Sequence, residues 1–122
     1  LIGMIHVIVH EVGHNFFPMI VNNDERQSTW MDEGLNSFLD KETIQERYPE
    51  LNYRQGTPRT IVPFMKGDKN MMRPVMATAD NQSNYHGPNG YTKPSAALTL
   101  LRETVMGKEL FDKAFKEYAQ RW

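Results

Sequence analysis

The chain has no cysteine among its 122 residues, which excludes disulfide bonds and thiolate metal sites. It also has no excess of charge of either sign. The formal net charge of −1 gives no general attraction to nucleic acid or to an anionic membrane. No apolar run is long enough to span a bilayer, and the apolar start has no basic flank typical of a signal peptide. The missing cysteine does not identify a compartment, since it is compatible with the cytoplasm or the periplasm.

The remaining composition is that of an ordinary globular domain, with 39% hydrophobic and 24% charged residues. A chain of this length forms one domain with a modest core. Its first segment is apolar on nearly every side, a pattern typical of a helix that is buried all round. So short a chain has little material to surround such a helix. We therefore expect residues 1–122 to be a single helical subdomain of a larger protein, truncated at both ends.

Apolar spacing and helix-breaking residues predict a mainly α chain of about five helices. The first segment is rich in isoleucine and valine and could pass for a strand, but its histidine spacing favours a helix. A long irregular stretch is expected over residues 71–90, and such stretches are often functional. The predicted helices cover residues 2–17, about 30–47, 58–66, 92–105 and 108–120.

The most informative segment is His10-Glu11-Val12-Gly13-His14, because it places two histidines four residues apart. In a helix, such residues lie on one face, one turn above each other. His10 and His14 can therefore both ligate one zinc ion, while Glu11 can reach a water on the metal without binding the metal. This pattern predicts a catalytic zinc site with three protein ligands and a water.

The third ligand must come from another segment, and Glu33 is the best candidate. Asp32 and Glu25 are alternatives by residue type, but neither stands in the right motif context. His6 lies one turn before His10, yet eight residues separate it from His14, or about 12 Å along a helix axis. That distance is too long for two ligands of one ion. His6 is therefore predicted to be a packing residue or a partner of a ligand.

Two roles besides metal binding need candidates. Glu11 is the candidate general base, which would accept a proton from the attacking water and pass it to the leaving amine. A phenolic hydroxyl could assist the metal by donating to the oxyanion of the transition state. The residues alone favour Tyr91 and Tyr85 equally for this role, and His86 is a weaker candidate in the same stretch.

Five segments, in order along nearly the whole chain, resemble the gluzincin metallopeptidases of the aminopeptidase N and leukotriene-hydrolase family. The likeness starts with the His-Glu-x-x-His segment and the Trp-x-x-Glu-Gly segment. It continues through an x-Pro-Val loop, a Tyr-x-Lys element and the turn into the last helix. The matching positions are His10–Phe17, Trp30–Gly34, Arg73–Val75, Tyr91–Leu98 and Gly107–Phe111.

The resemblance implies the helical C-terminal half of a thermolysin-like (zincin) catalytic domain that holds one zinc ion and acts on peptides. By carry-over, His10, His14 and Glu33 match the zinc ligands, Glu11 the base and Tyr91 the transition-state tyrosine. The remainder of the parent chain is then expected to pack on this piece.

The chain departs from the family pattern in two places. Pro94 stands where a glycine is usual, and Asn36 stands where a small apolar residue is common. The resemblance also implies a Gly-x-Met-Glu-Asn element upstream of Leu1, which grips the free α-amino group of the substrate. A β-rich lobe and a helical C-terminal region belong to the family too. Without them, the isolated 122 residues are expected to be poorly active, because the substrate cleft lacks one wall.

The leading hypothesis is zinc aminopeptidase action, the removal of N-terminal residues from peptides. Exopeptidase specificity depends on the resemblance alone. A zinc endopeptidase with the same ligands is the first alternative, and a metal-binding fragment without turnover is the second.

Overall fold

The computed structural model describes residues 1–82 and 85–122; Ser83 and Asn84, within the predicted irregular stretch, lie outside the described residues. Across these two ranges the chain forms α-helices and no strand, so the prediction of a mainly α fold is confirmed. The helices are α1 (Ile2–Gly13), α2 (Leu35–Arg47), α3 (Pro58–Met65), α4 (Ala79–Gln82), α5 (Lys93–Leu100) and α6 (Lys108–Arg121). None of the helices in the described ranges is both long and apolar enough to cross a membrane.

Wider π-helical turns extend two of these helices. Trp30–Gly34 leads into α2, Gly87–Thr92 leads into α5, and Leu101–Val105 continues α5 at its other end. Helical structure therefore begins at Gly87, earlier than the predicted residue 92. The Gly-Pro-Asn-Gly segment was expected to be an irregular loop, but a proline is well tolerated in the first turn of a helix.

Helix α1 ends at Gly13, so the predicted end at residue 17 is wrong. Beyond Gly13 the chain continues as turns whose backbone hydrogen bonds have mixed spacings. The amide of Phe16 donates to Gly13 O at 2.8 Å, and the amide of Val21 donates to Phe16 O at 2.8 Å. These turns direct Phe17 and Val21 into the core, where both are almost fully buried.

The core lies where the turns after α1 meet α2 and α6. Phe17, Val21 and Leu35 form its buried centre. Aromatic rings of α6 close it, since Phe115 packs against Phe17 with 5.7 Å between ring centroids. This core anchors the segment that follows α1 and so fixes the position of the two histidines just before it.

The buried contact of α1 with α2 is polar. His10 is the only residue of α1 that is buried, at 7% exposure. Helix α2 covers only one side of α1, so most of the apolar surface of α1 is exposed within the described residues. The apolar side chains left exposed are Leu1, Ile2, Met4, Val7, Ile8 and Val12.

The close approach of α1 and α2 depends on a glycine. Asn36 is fully buried on α2, and its Nδ2 donates a hydrogen bond to His10 O at 2.7 Å. A Cβ atom at Gly13 would lie 2.0 Å from Asn36 Oδ1, which is far inside van der Waals contact. Glycine at this position therefore lets the asparagine cross to the backbone of α1.

We predict that G13A lowers the free energy of unfolding by about 1–3 kcal/mol, because an added methyl group overpacks this contact. The matched control is G3A on the same helix, where an added Cβ meets nothing within 4 Å. G3A should be neutral or should stabilise by up to about 1 kcal/mol. Chemical unfolding of the full-length protein measures both. Equal stability of G13A and G3A would contradict the contact.

Candidate metal centre

Three donor atoms converge where α1 faces the π-helical turn before α2. Glu33 Oε2 lies 3.0 Å from His10 Nε2 and 3.4 Å from His14 Nε2. All three donor atoms lie within 4.8 Å of one another. Ligands of a tetrahedral zinc ion with bonds of 2.0–2.1 Å are separated by about 3.3 Å. The observed separations thus match one small ion held by His10, His14 and Glu33.

The other nitrogen of each imidazole has a partner of its own. His10 Nδ1 donates to Asp40 Oδ2 at 2.7 Å, and His14 Nδ1 donates to Phe17 O at 2.8 Å. Asp32 Oδ1 lies behind His14 as well, 3.0 Å from its Nδ1. Carboxylate and carbonyl oxygens only accept, so both Nδ1 atoms carry hydrogen. Such partners orient metal-binding imidazoles and leave the Nε2 lone pairs for the ion, so this donor set fits a metal.

The donor cluster and the carboxylates around it carry more negative than positive charge, and this imbalance shifts the pKa values of His10, Asp32 and Glu33. Burial lowers the pKa of His10, but hydrogen bonds to Asp40 and Glu33 outweigh it, and the pKa rises from 6.5 to about 9. Burial and the charge of Glu33 raise the pKa of Asp32 to about 6. Burial also raises the pKa of Glu33, yet hydrogen bonds from His10 and Tyr91 hold it below its usual value. The carboxylates thus stabilise a cation at His10.

Tyr91 lies against the same cluster. Its ring stacks on His10 with 5.8 Å between centroids, and it lies close enough to Glu33 to affect the pKa of that carboxyl. Burial, and next the interaction with Glu33, raise the pKa of Tyr91. Tyr85 instead packs against Phe64, 6.1 Å between ring centroids, so the structure separates the two tyrosines that the residues alone left equal.

Close contact between the two π-helical turns brings Tyr91 and Glu33 together. A Cβ at Gly34 would lie 2.5 Å from Pro94 Cγ, and a Cβ at Gly90 would lie 2.9 Å from Thr29 Cγ2. Both positions therefore need glycine. Pro94, one of the departures noted in the sequence, is buried directly against Gly34.

Buried polar contacts hold the second π-helical turn against residues 71–73 and Tyr85. Asn89 is fully buried, and its side chain donates to Met71 O and Tyr85 O and accepts from the amide of Arg73. Lys93 Nζ donates to Arg73 O. The x-Pro-Val loop and the Tyr-x-Lys element, separate in sequence, are thereby joined beside the cluster.

Comparison with known proteins agrees with this arrangement. The family model described as "Peptidase family M1 domain" matches residues 3–122. The chain belongs to peptidase family M1. The resemblance stated from the sequence motifs is thus confirmed, and the helical fold is that of the helical part of an M1 peptidase domain.

Similar M1 relatives are endoplasmic reticulum aminopeptidase 2 of Bos taurus, 24% identical over 120 residues, and glutamyl aminopeptidase of Homo sapiens, 25% identical over 121 residues. Each alignment covers 95% of this chain and 12% of the relative. Aminopeptidase Q of Mus musculus is 24% identical, with 96% of this chain and 22% of that protein covered. The chain therefore spans a small part of the length of these relatives. No solved structure matches it.

The structure also shows where the other candidate residues lie relative to the donor cluster. Glu11 is exposed on α1 beside His10, and its charge contributes to the raised pKa of Tyr91. His86 packs edge-on against Tyr91, 5.8 Å between ring centroids. Glu25 is exposed and takes no part in the donor cluster.

Asp40 is the residue of this site that sequence reasoning missed. It is almost fully buried on α2 and receives the Nδ1–H of His10. A signal was present, because Asp40 follows Glu33 by seven residues, two helical turns, which places both carboxylates on the same face.

We predict that His10 of the metal-free, full-length protein titrates near pH 9. Because the folded pKa lies above the unfolded value of 6.5, this histidine stabilises the metal-free fold fully below about pH 6.5. That contribution is lost as the pH rises through 9. Imidazole resonances followed by NMR against pH, with H10Q to assign the signal, measure it. Titration of His10 at or below its usual value would contradict the proposed charge balance.

Proposed function

We propose that this chain supplies the metal-binding half of a zinc-dependent peptidase site, and that the protein acts as an aminopeptidase. The observation that carries the proposal is the convergence of His10 Nε2, His14 Nε2 and Glu33 Oε2 within a sequence that matches family M1. In this proposal these three residues are the ligands of one zinc ion. The spacing of the donors and the acceptors behind both histidines support it.

A zinc ion bound there would lower the pKa of water towards 7 and polarise the scissile carbonyl. Glu11 is the proposed general base. It follows His10 directly, yet its carboxylate is exposed on the solvent side of α1 and not engaged in the donor cluster. In the proposed reaction Glu11 takes a proton from the attacking water as the new C–O bond forms. It then gives that proton to the amine nitrogen as the C–N bond breaks.

Tyr91 is the proposed donor to the transition-state oxyanion. Burial and the nearby carboxylates raise its pKa, so its hydroxyl stays protonated at neutral pH and keeps a hydrogen to donate. Stacking on His10 holds the ring beside the donor cluster. In this proposal the hydroxyl donates a hydrogen bond to the negative charge that develops on the substrate oxygen.

Aminopeptidase action, as opposed to internal cleavage, is supported by the names of the M1 relatives, which are aminopeptidases. The test compares an amino-acyl arylamide with its N-acetylated form, using the full-length protein. We predict that the free amine is hydrolysed at least about 10²-fold faster, since a site built to bind a charged amine rejects a substrate that lacks it. A chelator should abolish the activity and zinc should restore it.

Three results would contradict parts of this proposal. Equal cleavage of both forms would indicate an endopeptidase or a nonspecific hydrolase. Activity that survives complete metal removal would exclude the metal role. Zinc binding without hydrolysis of either substrate would indicate a metal-binding protein without turnover.

We predict that E11Q lowers kcat by about 10²–10⁴-fold, the usual contribution of a general base, and leaves the zinc content unchanged. Glutamine keeps the shape of the side chain but cannot take the proton. The measurements are kcat on the amino-acyl substrate and metal content by elemental analysis.

The matched control is E46Q, which makes the same chemical change at an exposed position on α2. Its activity should equal that of the unmodified protein. Full activity in E11Q would exclude Glu11 as the base, and loss of zinc from E11Q would indicate a ligand role instead.

A further inference from the structure

A third imidazole reaches the carboxylate oxygen that holds His10. Asp40 Oδ2 lies 2.7 Å from His10 Nδ1 and 3.2 Å from His6 Nε2. The Asp40 side chain is only 2% exposed, so protein groups and not bulk water must stabilise its charge. Both imidazoles come from α1, one helical turn apart, and they approach the same atom.

We propose that His6 is a positioning residue for the metal centre. It holds the Asp40 carboxylate in the orientation in which Oδ2 accepts the Nδ1–H of His10. In this way His6 acts on the metal-binding nitrogen of His10 without touching the metal. The inference rests on the proposed function, in which His10, His14 and Glu33 bind zinc.

The surroundings of His6 fix its ring. Tyr53 stacks on it with 5.3 Å between ring centroids and 29° between planes. Tyr53 is itself buried, and its hydroxyl has no hydrogen-bond partner within residues 1–82 and 85–122. Tyr53 and Asp40 line the same small cavity, and burial, followed by the charge of Asp40, raises the pKa of Tyr53. A stacked ring on a helix has few orientations, so His6 can define where the Asp40 oxygen lies.

The cavity beside these groups is too small for a substrate. Its volume is about 10 Å³, and its lining includes His6, Asp40 and Tyr53. A space of this size holds at most one water molecule. His6 therefore does not bind a substrate group from this side, and its polar contact across the cavity is with Asp40.

His6, His10 and Asp40 also have donor atoms within 4.8 Å of one another, as a second metal site would require. The distances favour hydrogen bonding instead. The 2.7 Å between His10 Nδ1 and Asp40 Oδ2 is the length of a charge-assisted hydrogen bond. It is short beside the separation of about 3.3 Å between ligands of one tetrahedral zinc ion.

The experiment compares H6F and H6Q in the full-length protein. Zinc affinity is measured by competition with a chromophoric chelator, and thermal unfolding is followed in parallel. Phenylalanine keeps a ring to stack on Tyr53 but has no N–H, whereas glutamine loses the ring and places an amide N–H near the position of Nε2. We expect H6F to weaken zinc binding about 10-fold and H6Q to retain most of the affinity.

A packing role predicts the opposite order, with H6F close to the unmodified protein and H6Q the more damaged. That result would overturn the inference. If H6F fails to fold, H6Q still tests the inference. The inference would be overturned if H6Q kept its thermal stability but lost as much zinc affinity as D40N. Two zinc ions in the unmodified protein and one in H6F would show a second metal site and would overturn it as well.

Combination with D40N tests whether His6 acts through Asp40. If it does, H6F causes no further loss of affinity in the D40N background, because the carboxylate that His6 orients is already gone. Additive losses of zinc affinity would contradict the inference.

Failure of the inference can be distinguished from failure of the proposed function. If the unmodified protein binds no zinc, both the proposed function and the inference are wrong. Zinc binding by the unmodified protein and equal affinity in H6F would remove the inference alone.

Discussion

The contact between α1 and α2 is made by imidazoles facing carboxylates, and both the fold and the site depend on it. Buried charged groups are costly unless they are paired, and removal of one partner typically costs about 3–5 kcal/mol. Here Asp40 accepts a hydrogen bond from His10 Nδ1, while Glu33 faces Nε2 of the same ring. Because most apolar side chains of α1 are exposed and His10 is buried, this polar edge joins the two helices. The same atoms hold the helices together and form the donor cluster.

In His10 and His14 the two ring nitrogens have different roles: one donates a hydrogen bond and the other faces Glu33. Nδ1 of His10 and Nδ1 of His14 point to fixed acceptors, a carboxylate and a backbone carbonyl. Nε2 of each ring points to the shared oxygen of Glu33. This division explains why His6 cannot join the same donor set, although it has the same four-residue spacing from His10. Its Nε2 meets Asp40, on the opposite side of the His10 ring from Glu33.

The sequence was sufficient for the mainly helical fold and for the shared face of the two histidines, because both depend on local spacing. His10 and His14 share a face by helical geometry alone, and a glutamate in a Trp-x-x-Glu-Gly segment is a recognisable motif. Tyr91 could be separated from Tyr85 only by family resemblance, since both lie near glycines and no spacing rule orients either. Asn36 and Gly13 could not be paired in advance, because their contact depends on how closely two helices cross. Pro18 predicts a later end of α1, whereas the backbone turns to hydrogen bonds of mixed spacing just after Gly13, which no residue pattern indicates.

The charge balance of the cluster gives the proposed metal role its physical basis. Asp32, Glu33 and Asp40 are buried or half-buried beside His6, His10 and His14, and an imidazole without a second proton balances none of the carboxylate charge. The metal-free protein reduces this imbalance by holding a proton on His10, whose pKa rises to about 9. That proton lies on the ring that faces Glu33, where the proposed ion would be coordinated. A divalent cation would supply more positive charge at the same point and would be bound by directional lone pairs. The cluster should therefore exchange a proton for a metal ion near neutral pH, with Asp40 and the Phe17 carbonyl holding both rings in place throughout.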